Sequence, residues 1–510
     1  MESPTKSCTL DPIPTFLLKE SIDVLLPLMT VMINASLYTG YMPATQKHAI
    51  VTPLLKKPWL EPTELKNYRP VSNLTFVSKI VERIVVKQLV DFLQLNNLMP
   101  RLQSAYRRHH STETALLRVL SDFYAAADGQ RVTLLGLLDL SAAFDCVDHD
   151  ILVRRLQLSY GISGSALAWA VSFLTGRTQQ VCYNGSLSAI SSLVFGVPQG
   201  SSCGPLLYLL YSAEVFDVIA DCGLVGHSYA DDTQAYISVP ASNAPVAMQR
   251  LAVCIERIEQ WMGRNRLKLN QDKTQIIWIG TRQQLAKVSA AELTLPSAVV
   301  RFSTTVSDLG FIVDSQLNMS DHVAQVCRSC YFQLRQLRLV RYSLTSDAVK
   351  TLVHAFISSR LDYCNSLLTG VSDGVLRKLQ SVQNAAARLI TNTRKFDHIT
   401  PVLRDLHWLP VRQRIVFKTA MLVYKCLHGL APPYLTELCR PVSSLPGRRQ
   451  LRSGTTGVLH VPRTRTSIGS RSFAVAGPVT WNSLPAELRT INLSVASFAK
   501  RLKTYLFNSY

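Results

Sequence analysis

Three aspartates have the types and spacing of a site for metal-assisted phosphoryl transfer. Asp139 lies at the end of an apolar run, and Asp231 and Asp232 form a short polar break between two strand-like stretches. Mg²⁺ prefers carboxylate ligands, and two such ions about 4 Å apart can hold the attacking and leaving oxygens of an in-line displacement. Without a cation, carboxylates this close would repel each other. An Asp-Asp pair by itself is more commonly an acidic turn, so the case for chemistry depends on the surrounding chain.

The segments around these aspartates predict how they are positioned. Residues 131–140 form an apolar run after the turn-prone pair Asp128-Gly129, which predicts a buried strand. Residues 227–239 are strand-like on both sides of the acidic pair, which predicts a β-hairpin with the pair at its tip. A Gly/Pro-rich loop followed by a helix over residues 204–221 is predicted between them. The hairpin places two carboxylates on one turn.

The rest of the chain is predicted to be mainly helical. Apolar residues at helical spacing predict helices over 21–37, 77–95, 323–339, 346–356, 376–390, 412–427 and 494–506. Residues 441–462, rich in Ser, Gly, Pro and Arg, predict a loop or extended segment. The change in pattern predicts a domain boundary near residues 315–325.

Charge is distributed unevenly along the chain. Residues 1–320 carry 27 Lys and Arg against 26 Asp and Glu, whereas residues 321–510 carry 27 against 8, so the net charges are +1 and +19. Lys and Arg displace counterions from a phosphate backbone, so this distribution favours a nucleic-acid partner held by the second part. A solvated basic face is the alternative.

Composition narrows the class of protein. The chain has 510 residues and 47% hydrophobic content, which excludes a largely disordered protein and predicts several folded domains. Its 11 cysteines are scattered, and no secretory signal begins the sequence, so we expect an intracellular protein, nuclear or cytoplasmic. The apolar stretch 204–226 is interrupted by Glu214, Asp217 and Asp221, so no membrane association is expected.

Further motifs follow the aspartates in a fixed order. Asp139-Leu-Ser-Ala-Ala-Phe144-Asp145 is followed by Gly196-Val-Pro-Gln-Gly-Ser-Ser-Cys-Gly-Pro205, by Tyr229-Ala-Asp-Asp232, and by Asn265-Arg-Leu-Lys-Leu-Asn-Gln-Asp-Lys273. In this order the sequence resembles the four palm motifs of reverse transcriptases. The sequence around Phe144, Ala-Phe-Asp-x-Val-Asp-His, resembles that of non-LTR (LINE-type) retrotransposons.

The resemblance extends on both sides of the palm motifs. Asn67-Tyr-Arg-Pro-Val-Ser-Asn-Leu74 and Gln103-Ser-Ala-Tyr-Arg-Arg-His-His-Ser-Thr112 resemble the two fingers motifs. Ser307-Asp-Leu-Gly-Phe311 resembles the grip motif, with a hairpin predicted over residues 306–317. Leu409-Pro-Val-Arg-Gln-Arg414 and Trp481-Asn-Ser-Leu-Pro485 resemble the final part of many such elements.

The resemblance implies an α+β right-hand polymerase of fingers, palm and thumb with a mainly helical, basic C-terminal region. It implies a helical N-terminal extension over residues 1–44, fingers and palm over 45–320, a helical thumb-like region over 321–430 and a basic C-terminal tail region over 431–510. The activity implied is RNA-directed DNA polymerisation with two Mg²⁺ ions, or Mn²⁺ in their place. The partners implied are an RNA template, a DNA primer or RNA–DNA hybrid, and dNTPs.

The resemblance also implies roles for single residues. The metals would be held by Asp139, Asp231, Asp232 and the main-chain oxygen of Leu140. The dNTP would be contacted by Arg69, Leu140, Phe144, Gln199 and Gly200, with Phe144 as the gate against a ribose 2′-hydroxyl. Lys273 would protonate the leaving pyrophosphate. Arg107 and Arg108 would assist Arg69 in binding the triphosphate. A core aromatic is the alternative for Phe144, and a surface side chain for Lys273, Arg107 and Arg108.

Three alternatives remain open from the sequence. A catalytically inactive, truncated retrotransposon remnant that only binds nucleic acid is one, since the first fingers motif begins too near Met1 to leave room for the endonuclease that complete elements carry. An RNA-dependent RNA polymerase is another, although it would favour Gly-Asp-Asp and a smaller gate. Cys327-x-x-Cys330 with His354 and Cys364 has irregular spacing within a helical pattern, so core cysteines are favoured over zinc.

Overall fold

The fold is known from a computed structural model that describes residues 8–141, 144–295, 299–444, 457–489 and 493–510. These residues form a mixed α+β structure. The α-helices of the described chain are α1 Thr15–Glu20, α2 Ile22–Thr39, α3 Phe76–Leu95, α4 Thr112–Asp128, α5 His149–Leu158, α6 Gly164–Leu174, α7 Gly204–Ser212, α8 Val215–Asp221, α9 Ala244–Arg264, α10 Arg282–Leu285, α11 Ser320–Val340, α12 Ser346–Val353, α13 Ser359–Asp362, α14 Asp373–Thr391, α15 Ile399–Asp405, α16 Val411–Leu427, α17 Pro433–Thr436, α18 Phe473–Asn482 and α19 Val495–Asn508.

The strands alternate with the helices of the first 320 residues. They are β1 His48–Leu55, β2 Tyr68–Asn73, β3 Arg131–Leu138, β4 Leu140–Ser141, β5 Arg177–Tyr183, β6 Ser186–Leu187, β7 Ser191–Leu193, β8 Val225–Tyr229, β9 Asp232–Pro240, β10 Lys268–Leu269, β11 Gln275–Ile279, β12 Glu292–Thr294, β13 Val299–Arg301, β14 Thr305–Asp308 and β15 Phe311–Asp314.

One compact unit comprises Met1–Tyr106, Asp139–Asp221 and Ile255–Asp272. Its larger sheet has the order β2-β1-β5-β6, with β7 also paired to β5. Strand β1 is antiparallel to β2 and parallel to β5. Helix α2 packs on α6, where the indole N–H of Trp169 donates to the Ser36 hydroxyl at 3.2 Å. A short two-stranded sheet joins β4 and β10.

The other compact unit comprises Arg107–Leu138, Cys222–Cys254 and Lys273–Tyr510. Its main sheet is antiparallel, in the order β11-β3-β9-β8. Strand β3 is central and almost wholly buried, as its continuous apolar run predicts. Helix α4 packs against β3, β8 and β9, and Ser111 caps its N-terminus in a capping box with Thr114.

Residues near the C-terminus of this unit also pack on α4. Asp128, at the end of α4, accepts hydrogen bonds from the main-chain N–H of Arg465 at 2.9 Å and of Thr466 at 2.7 Å. The Ser121 hydroxyl accepts from the N–H of Phe473 at 3.1 Å. Twelve of the 17 residues of α4 are buried, and a helix buried on most of its surface is a core helix. The C-terminal segment therefore completes a core that begins near residue 112.

Most predicted elements are confirmed. The helices predicted over 21–37, 77–95, 323–339, 376–390, 412–427 and 494–506 correspond to α2, α3, α11, α14, α16 and α19, and the hairpins over 227–239 and 306–317 to β8-β9 and β14-β15. The helix predicted over 346–356 is α12 followed by a π-helical turn, His354–Ser358, and α13. Part of the segment 441–462 lies outside the described residues.

The helix predicted over residues 204–221 is wrong as one element, because it is divided into α7 and α8. Arg155, on α5, donates to the main-chain oxygen of Tyr211, which would accept from Val215 if the helix continued. The same guanidinium binds the Glu214 carboxylate through Nε at 3.0 Å and through Nη2. A distant arginine therefore ends α7 by taking its carbonyl.

The strand predicted over residues 131–140 is also shorter than expected. Strand β3 ends at Leu138, and Leu140–Ser141 pair with Lys268–Leu269 instead of continuing the β3 ladder. Asp139 lies between these two pairings, and its main-chain oxygen accepts from the N–H of Asn270 at 2.8 Å. The chain thus changes its partner strand at Asp139.

Helix α2 is long and apolar enough to cross a membrane by length and composition, with a mean hydropathy of 1.4 over 18 residues. Core helices of soluble proteins and signal sequences meet the same criterion, and only 11% of this stretch is buried. The acidic residues that interrupt the apolar stretch 204–226 have no bearing on this helix. The absence of a membrane partner stays a prediction.

Candidate active site

The acidic hairpin of β8 and β9 has a two-residue turn. Tyr229 pairs with Asp232, which leaves Ala230 and Asp231 as the turn residues. Ala230 has φ +60°, a left-handed conformation that costs a non-glycine residue roughly 1–2 kcal/mol. Asp231 is half-buried and Asp232 is exposed. The tight turn presents two adjacent carboxylates at the end of the sheet, as the sequence predicted.

The end of β3 lies beside the start of β9. Leu138, the last residue of β3, pairs with Thr233, which follows Asp232. The chain enters Asp139 directly after Leu138. The Asp139 side chain is half-buried, and its Oδ2 accepts from the Asn270 amide at 3.3 Å. Asn270 therefore holds both the main chain and the side chain of Asp139.

The described residues contain no preformed cluster of metal-ligating side chains. Within residues 8–141, 144–295, 299–444, 457–489 and 493–510, no three His, Cys, Asp or Glu side chains are arranged to hold a metal ion. Cys327 and Cys330 both lie on α11, with Cys330 buried, and all eleven cysteines are free thiols. The absence of zinc stays a prediction.

Phe144 is half-buried and its ring rests on that of Tyr208, with ring centroids 4.8 Å apart. Tyr208 lies on α7 and is fully buried, so it supports the Phe144 ring from the core. The main-chain oxygen of Phe144 accepts from the N–H of Val197 at 2.9 Å. The turn after Asp139 is thereby joined to the loop that precedes α7.

This loop is also joined to β2. The main-chain oxygen of Gln199 accepts from the N–H of Ser72 at 2.6 Å. Gly200 has φ +123°, and a Cβ there would lie 2.5 Å from the main-chain oxygen of Ser72. Only glycine fits at this position without moving a backbone, and the backbone that approaches is that of β2.

Three of the four basic residues predicted to act on phosphates, Arg69, Arg108 and Lys273, are exposed to solvent. Arg69 is exposed on β2, opposite Leu54, and Lys273 is exposed at the end of a 3₁₀ turn, Gln271–Lys273. Arg108 is exposed, whereas Arg107 is half-buried and burial lowers its pKa. Leu140 has a buried side chain. Their roles toward a nucleotide stay predictions.

A buried carboxyl that the sequence did not indicate lies behind the hairpin. Asp308, at the end of β14, is only 4% exposed and accepts from the Gln234 amide at 2.6 Å. Its pKa is raised to about 7, mainly by burial; the Gln234 hydrogen bond lowers the pKa, and the negative charge of Asp232 raises it. The Ser307-Asp308-Leu309-Gly310-Phe311 motif contained this residue, but its burial is not visible in the sequence.

A family model and two similar proteins indicate the same family for this chain. Residues 54–313 match the family model described as reverse transcriptase (RNA-dependent DNA polymerase). The chain is 28% identical, over 74% of its length, to 41% of the probable RNA-directed DNA polymerase from transposon X-element of Drosophila melanogaster. It is 25% identical, over 87% of its length, to 47% of the RNA-directed DNA polymerase from mobile element jockey of the same species. The chain thus spans less than half the length of these relatives.

Among solved structures, telomerase from Candida albicans in complex with a fragment of telomeric RNA is similar over 80% of this chain and 68% of its own. The sequence identity is 13% and the TM-score 0.35.

Proposed function

The chain belongs to the reverse transcriptase (RNA-dependent DNA polymerase) family, of the non-LTR (LINE) type, and from this premise we propose that it polymerises DNA on an RNA template. The reaction is in-line attack of a primer 3′-hydroxyl on the α-phosphate of a dNTP. The observation that carries the proposal is the acidic hairpin, whose Asp231 and Asp232 lie at the end of a buried antiparallel sheet.

Asp139 is proposed as the third carboxylate of the site. Its support is the pairing of Leu138 with Thr233, because Asp139 follows the first and Asp232 precedes the second. The donor set suits two Mg²⁺ ions, or Mn²⁺, because carboxylate oxygens are hard ligands. The negative charge of Asp232 raises the pKa of buried Asp308, so a cation bound at the hairpin would also act on the carboxyl behind it.

Asp139, Asp231, Asp232 and the main-chain oxygen of Leu140 are the proposed metal ligands. When bound, the two ions would make the primer hydroxyl a better nucleophile and neutralise charge on the triphosphate. The Asn270 amide donates to Oδ2 of Asp139 at 3.3 Å, and this hydrogen bond would orient the carboxylate as a ligand.

The remaining residues are proposed to bind and orient the nucleotide. Phe144, supported by Tyr208, would exclude a 2′-hydroxyl by contact with the sugar. Gln199 and Gly200 would lie along the nucleotide, and Arg69 would bind the triphosphate with its guanidinium group. Lys273 would donate a proton to the leaving pyrophosphate. Positioning and metal charge together supply most of the catalysis in such a reaction.

The sheet β11-β3-β9-β8 is proposed as the palm, the sheet of β1, β2 and β5 as part of the fingers, and helices α11 to α16 as the thumb. The boundaries are those expected from the sequence, with fingers and palm over 45–320 and thumb over 321–430. Residues 321–510 carry the net charge of +19 and would hold the RNA template and the primer through their backbones.

The experiment is extension of a labelled DNA primer on an RNA template by the purified chain, with dNTPs and Mg²⁺. We expect the wild type to extend the primer and Asp231→Asn to reduce extension by at least about 1000-fold, since a metal ligand is lost (~4 kcal/mol). Asp217→Asn is the matched control, because Asp217 is an exposed acidic residue on α8 outside the proposed site. It should extend like the wild type.

Each alternative has a distinct outcome. A folded wild type that binds the primer–template but does not extend it favours the inactive remnant. Extension with rNTPs in preference to dNTPs favours an RNA polymerase. Equal extension by the wild type and Asp231→Asn contradicts the proposed metal site.

A further inference from the structure

Asp145 and Gln199 form a side-chain contact that fixes the direction of an amide. The Gln199 Nε2 lies 3.1 Å from Oδ1 and 3.0 Å from Oδ2 of Asp145. An ionised carboxylate only accepts hydrogen bonds, whereas the two ends of an amide differ, since Nε2 donates and Oε1 accepts. The carboxylate therefore selects one of the two amide orientations, with Nε2 toward Asp145.

The oxygen at the other end of the Gln199 amide is available to accept a hydrogen bond. Among the residues that the structure describes, Oε1 of Gln199 accepts no hydrogen bond, and it is not enclosed away from solvent. Gln199 itself is half-buried. An acceptor held in one direction by a charged partner is thus presented at the surface of the loop.

Both partners are held by their main chains, so the contact does not depend on two mobile side chains. The turn that carries Asp145 is fixed by Val197, whose N–H donates to Phe144 at 2.9 Å, and by Gly196, whose N–H donates to Val147 at 2.7 Å. Gly196 has φ +81°, and a Cβ there would lie 2.7 Å from the main-chain oxygen of Asp145. The turn and the loop are therefore in direct backbone contact.

We propose that Asp145 is a positioning residue, which holds Nε2 of Gln199 and so presents Oε1 to the incoming nucleotide as an acceptor. The inference rests on the proposed function, because it takes Gln199 as a nucleotide contact. The nucleotide group that Oε1 binds is a hydroxyl or amino donor. Asp145 itself does not touch the nucleotide, so its effect passes entirely through Gln199.

The test is a double-mutant cycle on nucleotide use during primer extension. Asp145→Asn keeps the shape of the side chain but lets the Gln199 amide turn over, so we expect KM for dNTPs to rise about 10-fold (~1.4 kcal/mol) with kcat within about 2-fold. Gln199→Ala should raise KM by a similar factor. In the Gln199→Ala background, Asp145→Asn should change KM by less than about 2-fold, because nothing remains to orient. Asp217→Asn is the control for loss of an acidic charge.

An exchange of roles gives a second readout. Gln199→Glu places two carboxylates in contact and should raise KM strongly. Adding Asp145→Asn to it restores a donor–acceptor pair, since the amide introduced by Asp145→Asn can donate to one oxygen of the new carboxylate and leave the other as the acceptor. We expect this double variant to recover at least half of the lost apparent affinity.

The outcomes separate the two claims. A wild type that extends, with Asp145→Asn unchanged in KM, overturns the inference and leaves the proposed function standing. The same holds if the effects of Asp145→Asn and Gln199→Ala are independent, or if the exchanged pair is no better than Gln199→Glu alone. A wild type that neither extends nor binds a dNTP in calorimetry overturns both.

Discussion

Replacing Asp308 by Asn should change how stability depends on pH. Asp308 is 4% exposed, and its pKa is about 7 against 3.8 for an ordinary aspartate. Because the folded-state pKa is the higher, the stability that the neutral carboxyl contributes is fully present below pH 3.8 and is lost as the pH rises through about 7. The difference of about 3 pKa units corresponds to roughly 4 kcal/mol at 1.36 kcal/mol per unit.

Asparagine keeps an oxygen that accepts from the Gln234 amide and carries no charge at any of these pH values. We therefore expect the unfolding free energy of Asp308→Asn, minus that of the wild type, to grow by about 3 kcal/mol between pH 5 and pH 8. The assay is urea denaturation followed by circular dichroism, with EDTA present. Adding Mg²⁺ should make this increase in the free-energy difference smaller, because a cation at Asp232 offsets the charge that raises the pKa of Asp308.

Asp314 provides a matched control on the neighbouring strand β15. It is equally buried, but its carboxylate accepts from the N–H groups of Gln316, Asn318 and Met319 at 3.1, 3.0 and 2.7 Å. Asp314→Asn should therefore be less stable than the wild type at pH 8, because charge-assisted hydrogen bonds are lost. The reasoning would be refuted if the difference in unfolding free energy between Asp308→Asn and the wild type stayed constant from pH 5 to pH 8.

Two further predictions concern the candidate site. Gly200→Ala should lower kcat/KM for primer extension by at least about 10-fold (~1.4 kcal/mol), because its Cβ would lie 2.5 Å from a backbone oxygen. The control is Gly176→Ala, since Gly176 also has a positive φ but has no atom within 4 Å of an added Cβ. This variant should extend the primer normally and lose only about 1–2 kcal/mol of stability in urea denaturation. Asn270→Ala should raise the Mg²⁺ concentration for half-maximal extension by about 10-fold or more, because the amide that restrains Asp139 is lost. Gln271→Ala, which removes an exposed amide bonded to a different carboxylate, should leave that concentration unchanged, and equal effects in the two variants would contradict the role of Asn270.

The elements that local pattern determines could be predicted from the sequence. The hairpin around Asp231 and the helices α3 and α14 follow from periodicity of 2 and 3.6 residues, and both periodicities are properties of adjacent residues. The residues of the candidate hairpin were therefore placed correctly before any tertiary contact was known.

The errors arise where a distant residue decides. The end of α7 depends on Arg155, which is 56 residues away from the Tyr211 carbonyl that it takes. The chain leaves the β3 ladder at Asp139, whose main-chain oxygen accepts from the N–H of Asn270, 131 residues away. No local pattern contains either partner, so the sequence predicted one long helix and one long strand.

The same limit applies to the site. The pairing of Asp145 with Gln199 and the burial of Asp308 depend on the three-dimensional arrangement, although all three residues lie in motifs that the sequence displays. Motif order indicated which segments meet, and only the fold shows which side chains touch.

The packing of the C-terminal segment on α4 has a consequence for synthesis of the chain. Asp128 is synthesised before its hydrogen-bond partner Arg465, which follows 337 residues later. Ser121 likewise precedes its partner Phe473 by 352 residues. At about 5–20 residues per second, a ribosome takes roughly 20 to 70 s to cover that distance. During this interval the surface of α4 that the later segment covers is exposed, so it is open to misassociation until the C-terminal segment has been synthesised.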